Sequence, residues 1–209
     1  MCMLAPVQLT GFDTVMQLNS LIPEIKGCTL CAGALPHGVR PVLQVSRTAK
    51  ILIAGQAPGN KVHATGIPFD DPSGDRLRAW MGVSSETFYD PDKIAILPMG
   101  FCFPGTGKSG DLPPRKECAP AWRQPLIDCM PDIKLTLVIG QYAAKWHLSD
   151  TLERNLTETV RNWRQYIHKG LLPLPHPSPR NNIWLKKNAW FEADVLPELQ
   201  LRTAAALAV

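Results

Sequence analysis

At 209 residues, with 45% apolar and 19% charged side chains, the chain is globular in composition and long enough to bury a full core, so one domain over residues 1–209 is expected. Its net charge of +4 is spread along the chain, which excludes a basic tail and leaves an anionic partner open. No run approaches the ~18 apolar residues of a membrane span, and the amino terminus lacks a basic and then apolar leader pattern. A cytoplasmic location follows as an expectation, and there six cysteines favour a metal site or buried thiols over disulfides.

In chain order, Val15, Met16, Leu18, Leu21, Ile22 and Ile25 recur at helical spacing and predict a helix over residues 14–26 that leads straight into Cys28 and Cys31. Residues 50–55 form a continuous apolar run stopped by Gly55, the pattern of a strand buried on both faces of a parallel sheet. Runs at 94–98, 135–140 and 171–174 repeat it. Helices are predicted between and after them, at 74–81, 119–130, 141–146, 157–166 and 189–206. Strand and helix alternate, so the expected fold is a three-layer α/β/α sandwich on a four-stranded, mostly parallel sheet. Ligands of such sheets bind beyond the carboxyl ends of the strands. Three unusual loops fall there: 56–74, 99–118 and 176–181.

Cys28 and Cys31 form a CxxC pair, and Cys102 and Cys118 flank a loop rich in glycine and proline. Four thiolates in two groups suit a tetrahedral zinc or a [4Fe-4S] cluster. The wide spacing of the second pair leans towards the cluster. A redox pair would open a helix after a strand, whereas this CxxC follows a helix. Cys2 is expected to be exposed, and Cys129, among Leu126, Ile127 and Met130, to be a buried thiol.

Gly105-Thr106-Gly107-Lys108-Ser109 resembles the end of a phosphate-binding P-loop, but the first glycine of that motif would fall at Cys102, and Gly110-Asp111-Leu112-Pro113-Pro114 follows in place of a helix. A nucleotide hydrolase is therefore excluded. In the first loop, Gly55-Gln56-Ala57-Pro58-Gly59 lets backbone amides approach a ligand closely. Pro68-Phe69 offers an aromatic face for stacking. Asp70, Asp71 and His63 are the nearby groups able to activate water. Asp75 is expected to begin a helix with Arg76 and Arg78 on its solvent side. In the third loop Pro175, Pro177 and Pro179 stiffen the chain around His176, Ser178 and Arg180, an imidazole, a hydroxyl and a guanidinium suited to stabilising an anion and gripping a phosphate.

Taken together, these segments resemble the uracil-DNA glycosylase superfamily over nearly the whole chain. Gly55 to Gly59 looks like its first motif as the iron-sulfur branch writes it. Gly66-Ile67-Pro68-Phe69 is similar to the segment whose Phe stacks on the extruded base, and His176 to Asn181 resembles the second motif. Cys28, Cys31, Cys102 and Cys118 match that branch's cluster ligands in order. The resemblance implies that the nucleotide is flipped from the stack and that His176 hydrogen-bonds the oxygen on which charge collects as the base departs. It also implies that Phe69 stacks on the base, that Ser178 holds a phosphate, that Arg180 lies along the strand or enters the gap left by the base, and that Gln56 with the glycine loop faces the base or a water. DNA is the implied partner, a [4Fe-4S] cluster the implied cofactor with structural zinc as the alternative, and a monomer is expected.

Two positions depart from the family's pattern. Gln56 and Ala57 leave the first motif without a carboxylate, and Pro98 stands where an Asn usually reads the pyrimidine; a proline has no side-chain donor and no N–H. Asp70, Asp71 and His63 are the candidates to hold the water. The expected activity is hydrolysis of the N-glycosidic bond of uracil or another deaminated base. A catalytically silent DNA- or lesion-binding module on the same fold is the alternative, and a redox metalloprotein unrelated to DNA is a third reading.

Overall fold

A computed structural model describes residues 11–108 and 110–208, with side chains from Gln17 onward; Cys2 lies outside the described residues. The elements, in order, are α1 (Gly11–Lys26), β1 (Ile51–Ala54), α2 (Asn60–Thr65), α3 (Pro72–Met81), α4 (Ser85–Tyr89) and β2 (Ile94–Ile96). A hairpin of β3 (Thr106–Gly107) and β4 (Gly110–Asp111) comes next, then α5 (Cys118–Asp128), β5 (Leu135–Ile139), α6 (Gly140–His147), α7 (Leu156–Arg161) and α8 (Arg164–Ile167). The chain closes with β6 (Leu171–Leu174), α9 (Asn182–Lys187) and α10 (Leu196–Leu207).

β1, β2, β5 and β6 pair in the order β2-β1-β5-β6, all parallel, with Ile51 opposite Ile94 and Leu135. All of β1, β2 and β5 is buried because both faces are covered. Ile51 and Ile53 point into a core with Leu77 and Trp80 of α3 and Leu199 of α10. Leu52, between them, points the other way, onto Leu18 and Ile25 of α1 and Leu126 of α5. Ala54 and Val138 extend that second face under Ala143 and Ala144 of α6. Helices on both faces of a parallel sheet make the three-layer α/β/α sandwich.

Both sheet edges are managed. Gln44 bridges antiparallel to Ile96, and its side-chain amide donates to the carbonyls of Phe88 and Ile94, which closes off β2. Pro173 sits in β6, an edge strand, where a missing N–H is tolerated. The expected helix over 157–166 is two short ones, α7 and α8, and a π-helical turn at Phe191–Val195 precedes α10. Short helices α2, α4 and α9 occupy stretches with too few residues to show a period. Cys129 is a fully buried free thiol.

One buried cation ties the second layer to the sheet. Arg123 of α5 is fully buried, donates to the carbonyls of Leu97 and Pro98, and places its second amino group 2.7 Å from Nε2 of His147. Nε2 accepts that bond, so His147 is neutral; burial first, then the Arg123 charge, pushes its pKa from 6.5 down to about 3. Below pH 6.5 the unfolded chain binds a proton that the folded one refuses, so stability falls as pH drops through the window from 6.5 towards 3. At pH 5 the loss reaches up to about 2 kcal/mol. Thermal unfolding between pH 7.5 and 5 should show the midpoint falling in the native protein and falling less in His147→Gln, which keeps an acceptor for Arg123 but does not titrate.

Candidate active site

A cavity of about 540 Å³ opens beyond the carboxyl ends of β1, β2 and β6. Its walls come from five segments far apart in sequence: the glycine loop 55–61, Pro68 to Ser73, the end of β2 with Pro98, the hairpin residues Gly110 and Asp111, and His176 with 178–181. Gly55, Gln56, Ala57, Pro58, Gly59, Phe69, His176, Ser178, Arg180 and Asn181, all expected from the sequence, line it together.

The His176 loop is held by five hydrogen bonds. The backbone N–H of Ser178 donates to Nδ1 of His176 at 3.2 Å, and Asn181 Nδ2 donates to the carbonyl of His176 at 2.7 Å. Ser178 Oγ accepts from the N–H of Arg180. Arg76 of α3 donates to the Ser178 carbonyl at 3.1 Å and to Asn182 Oδ1 at 2.8 Å. Arg76 therefore does not face solvent as its place on α3 suggests; it clamps the loop. Arg78 is also engaged, bonding Asp75 and the Tyr89 hydroxyl and lying over the Phe88 ring. Because Nδ1 accepts from Ser178, the ring proton of neutral His176 resides on Nε2. Burial lowers the pKa of this imidazole, while the charges of Asp71 and Asp111 pull it upward. At neutral pH His176 is a neutral donor.

Phe69 forms the opposing wall. Its ring packs edge-on to Phe88 with centroids 6.1 Å apart, and its ring edge comes within 3.6 Å of where a Cβ on Gly55 would sit. Phe69 is the one non-glycine residue with positive φ among the described residues, at 55°. Such a backbone is uncommon outside glycine and persists where its surroundings fix it. Here Asp71 caps α3 by accepting from the N–H of Gly74 at 2.9 Å, and the bare Cα of Gly74 admits the Phe69 carbonyl.

Two groups expected to activate water lie elsewhere. His63, on α2, places Nε2 3.2 Å from the carbonyl of His37 and packs its ring on Phe103, outside the cavity. Asp70 folds into the turn after Ile67, and its neighbour Asp71 lines the cavity in its place. Gln56 is at the cavity, but its amide donates to the carbonyl of Leu112 at 3.1 Å, tying the glycine loop to the hairpin. The stretch that mimics a P-loop is that hairpin, and it brings Asp111 to the cavity, a residue the sequence reading passed over. Ser73 was missed as well; it is the buried polar side chain in the lining.

On the far side of Pro98, Cys28, Cys31, Cys102 and Cys118 line a second, small cavity of about 20 Å³ with Ile25, Phe101 and Trp122. Cys118 Sγ accepts from the N–H of Phe101 at 3.3 Å. Burial pushes the thiols of Cys102 and Cys118 up to about 11 and about 12, and that of Cys31 upward. Among the described residues no group of three or more His, Cys, Asp or Glu side chains is placed to hold a metal ion.

A parallel sheet whose carboxyl edge holds a cavity lined by an aromatic ring and a neutral imidazole donor defines an α/β protein with its site at that edge. A model of the uracil DNA glycosylase superfamily matches residues 43–200, and the chain belongs to that superfamily. The matched stretch takes in every lining residue of the cavity but Val42, together with Cys102 and Cys118, and begins after Cys28 and Cys31.

The backbone contact at Phe69 is directly testable. A Cβ on Gly74 would stand 1.8 Å from the Phe69 carbonyl oxygen, so Gly74→Ala should lose roughly 3 kcal/mol, the upper end of overpacking effects. Gly55→Ala, whose added carbon meets the Phe69 ring at 3.6 Å, should fold with near-native stability. Urea unfolding of the two variants checks the contrast.

Proposed function

We propose that the protein is a DNA glycosylase of base-excision repair that hydrolyses the N-glycosidic bond of uracil or another deaminated base. The observation that carries this reading is the neutral His176, whose Nδ1 is occupied by the Ser178 N–H so that Nε2–H is left to donate within a cavity walled by Phe69. Cleavage of the glycosidic bond leaves negative charge on the departing base. A pre-placed donor at its oxygen is worth ~10²–10³ in rate, and a neutral imidazole, already oriented, supplies it without reorganising. Phe69 stacks on the base. Ser178 and Arg180 serve the flanking phosphates, and the amides of Gly55 to Gly59 approach the nucleotide closely. Ile67, Leu112 and Ile183, all exposed, are sequence neighbours of the lining residues Pro68, Asp111 and Asn181, or one position beyond, and offer apolar contacts to bases beside the flipped one.

Pro98 at the base edge and Ala57 in the glycine loop favour a second reading, a DNA- or lesion-binding module without catalysis. Both DNA readings require affinity that falls steeply with salt. The third, redox reading predicts reversible thiol chemistry and no salt-sensitive DNA binding.

We infer that Cys28, Cys31, Cys102 and Cys118 hold a [4Fe-4S] cluster. The donor set is four sulfurs around one small cavity, with an N–H directed at Cys118, a set that suits the cluster or, as the alternative, one structural zinc. The group would pin residues 28–31 and the start of α5 to the loop after β2, a structural role. Freshly purified protein should be brown, and Cys102→Ser should bleach it and lower its unfolding midpoint. Colourless protein carrying one zinc would replace the cluster.

The activity is tested on single-stranded oligonucleotides bearing uracil, hypoxanthine or xanthine, with alkali cleavage at abasic sites. Breaks at the lesion should appear with the native protein and vanish, at least ~100-fold, in His176→Ala with DNA binding retained. An absence of breaks at any lesion, from protein that binds DNA, would establish the binding module.

A further inference from the structure

We propose that Asp111, carried on the β3–β4 hairpin, is the carboxylate that positions and deprotonates the water attacking the sugar. This rests on the glycosylase reading and deepens it. Hydrolysis at C1′ needs a water held on the sugar face opposite the departing base, and general-base assistance to such a water is worth ~10²–10⁴. The glycine loop has no acid of its own, and Gln56 at its start is committed to Leu112.

Two carboxylates line the cavity, Asp71 and Asp111. Asp71 is tied to the base side: Oδ1 caps α3 at Gly74, and the residue lies two positions from the stacking Phe69. Asp111 stands on the other side, at the mouth. Its Oδ2 lies 3.3 Å from the point where a Cβ on Gly59 would sit, so the carboxylate rests directly against the glycine loop. Its Oδ1 accepts from the Thr106 hydroxyl at 3.3 Å, which leaves Oδ2 for water. The charge of Asp111 also reaches His176, raising its affinity for protons, so the two groups face one shared space.

The hairpin that carries Asp111 is closed by one hydrogen bond of its own and fixed to the site at two points. Leu112 donates its N–H to the Gly105 carbonyl at 2.9 Å and accepts from Gln56, and the Arg180 guanidinium lies against Gly110, 2.5 Å from where a Cβ would stand. A side chain at 110 would push Arg180 away; glycine there lets the hairpin close on the third loop, residues 176–181.

The step balances without a co-reactant. The C1′–N bond breaks with its electron pair going to the base, whose oxygen accepts a hydrogen bond from His176 Nε2–H. Water oxygen bonds to C1′, its proton passes to Asp111 Oδ2, and that proton is returned through solvent to the released base anion.

The test measures single-turnover base release and DNA affinity in parallel for native protein, Asp111→Asn, Asp71→Asn and the surface control Glu192→Gln. Asp111→Asn should slow release at least 100-fold while binding DNA as tightly as the native protein or more so, because it removes a negative charge from a cleft that receives phosphates. A merely structural role would weaken both together. Asp111→Asn with near-native release while His176→Ala is inactive would overturn the proposal and keep the glycosylase. A large loss in Asp71→Asn alone would move the role to that residue. If the native protein releases no base from any lesion, the glycosylase reading and this proposal fail together.

Discussion

The site depends on one hydrogen bond, the Ser178 N–H to Nδ1 of His176. It decides which ring nitrogen carries the proton, and with burial it keeps the ring neutral. A backbone donor two residues away reaches its own chain's side chain only if the intervening backbone is held. Pro177 restricts φ between them, Asn181 ties back to the His176 carbonyl, and Arg76 reaches across from α3 to grip Ser178. A protein of this superfamily thus prepares its imidazole with contacts from a helix nearly a hundred residues away.

The opposite wall is built by exclusion. Phe69 adopts a left-handed backbone that brings its carbonyl against Gly74, where any larger residue collides. The same turn places Asp71 at the start of α3, where its carboxylate both caps the helix and adds negative charge to the cavity. Strain at Phe69 and the glycine that permits it are one feature, and together they set the Phe69 wall of the cavity.

Between this cavity and the four cysteines stands Arg123. A buried guanidinium without a carboxylate partner is expensive, and this one is accommodated by two carbonyls at the end of β2 and a neutral imidazole. By gripping the Pro98 carbonyl it fixes the edge of the cavity. Packing under the site is therefore polar at one point, and that point also borders Cys118, at the start of the same helix.

The four parallel strands, the layered fold and the grouping of the glycine loop, Phe69 and the His176 loop at one sheet edge were legible in the sequence, because apolar runs ended by glycine or proline mark buried parallel strands and their carboxyl ends. That logic needs only local pattern. It failed where the partner is distant: Arg76 is one more cation on a helix until α3 is seen beside residue 178, and His63 and Asp70 are near the first motif in sequence yet face His37 and Ile67 in space. Asp111 was hidden by its neighbours, since a glycine-rich run reads as a turn whatever it packs against. Which carboxylates share the cavity is a matter of long-range contact between a hairpin and a loop some fifty residues apart, and only tertiary structure decides it.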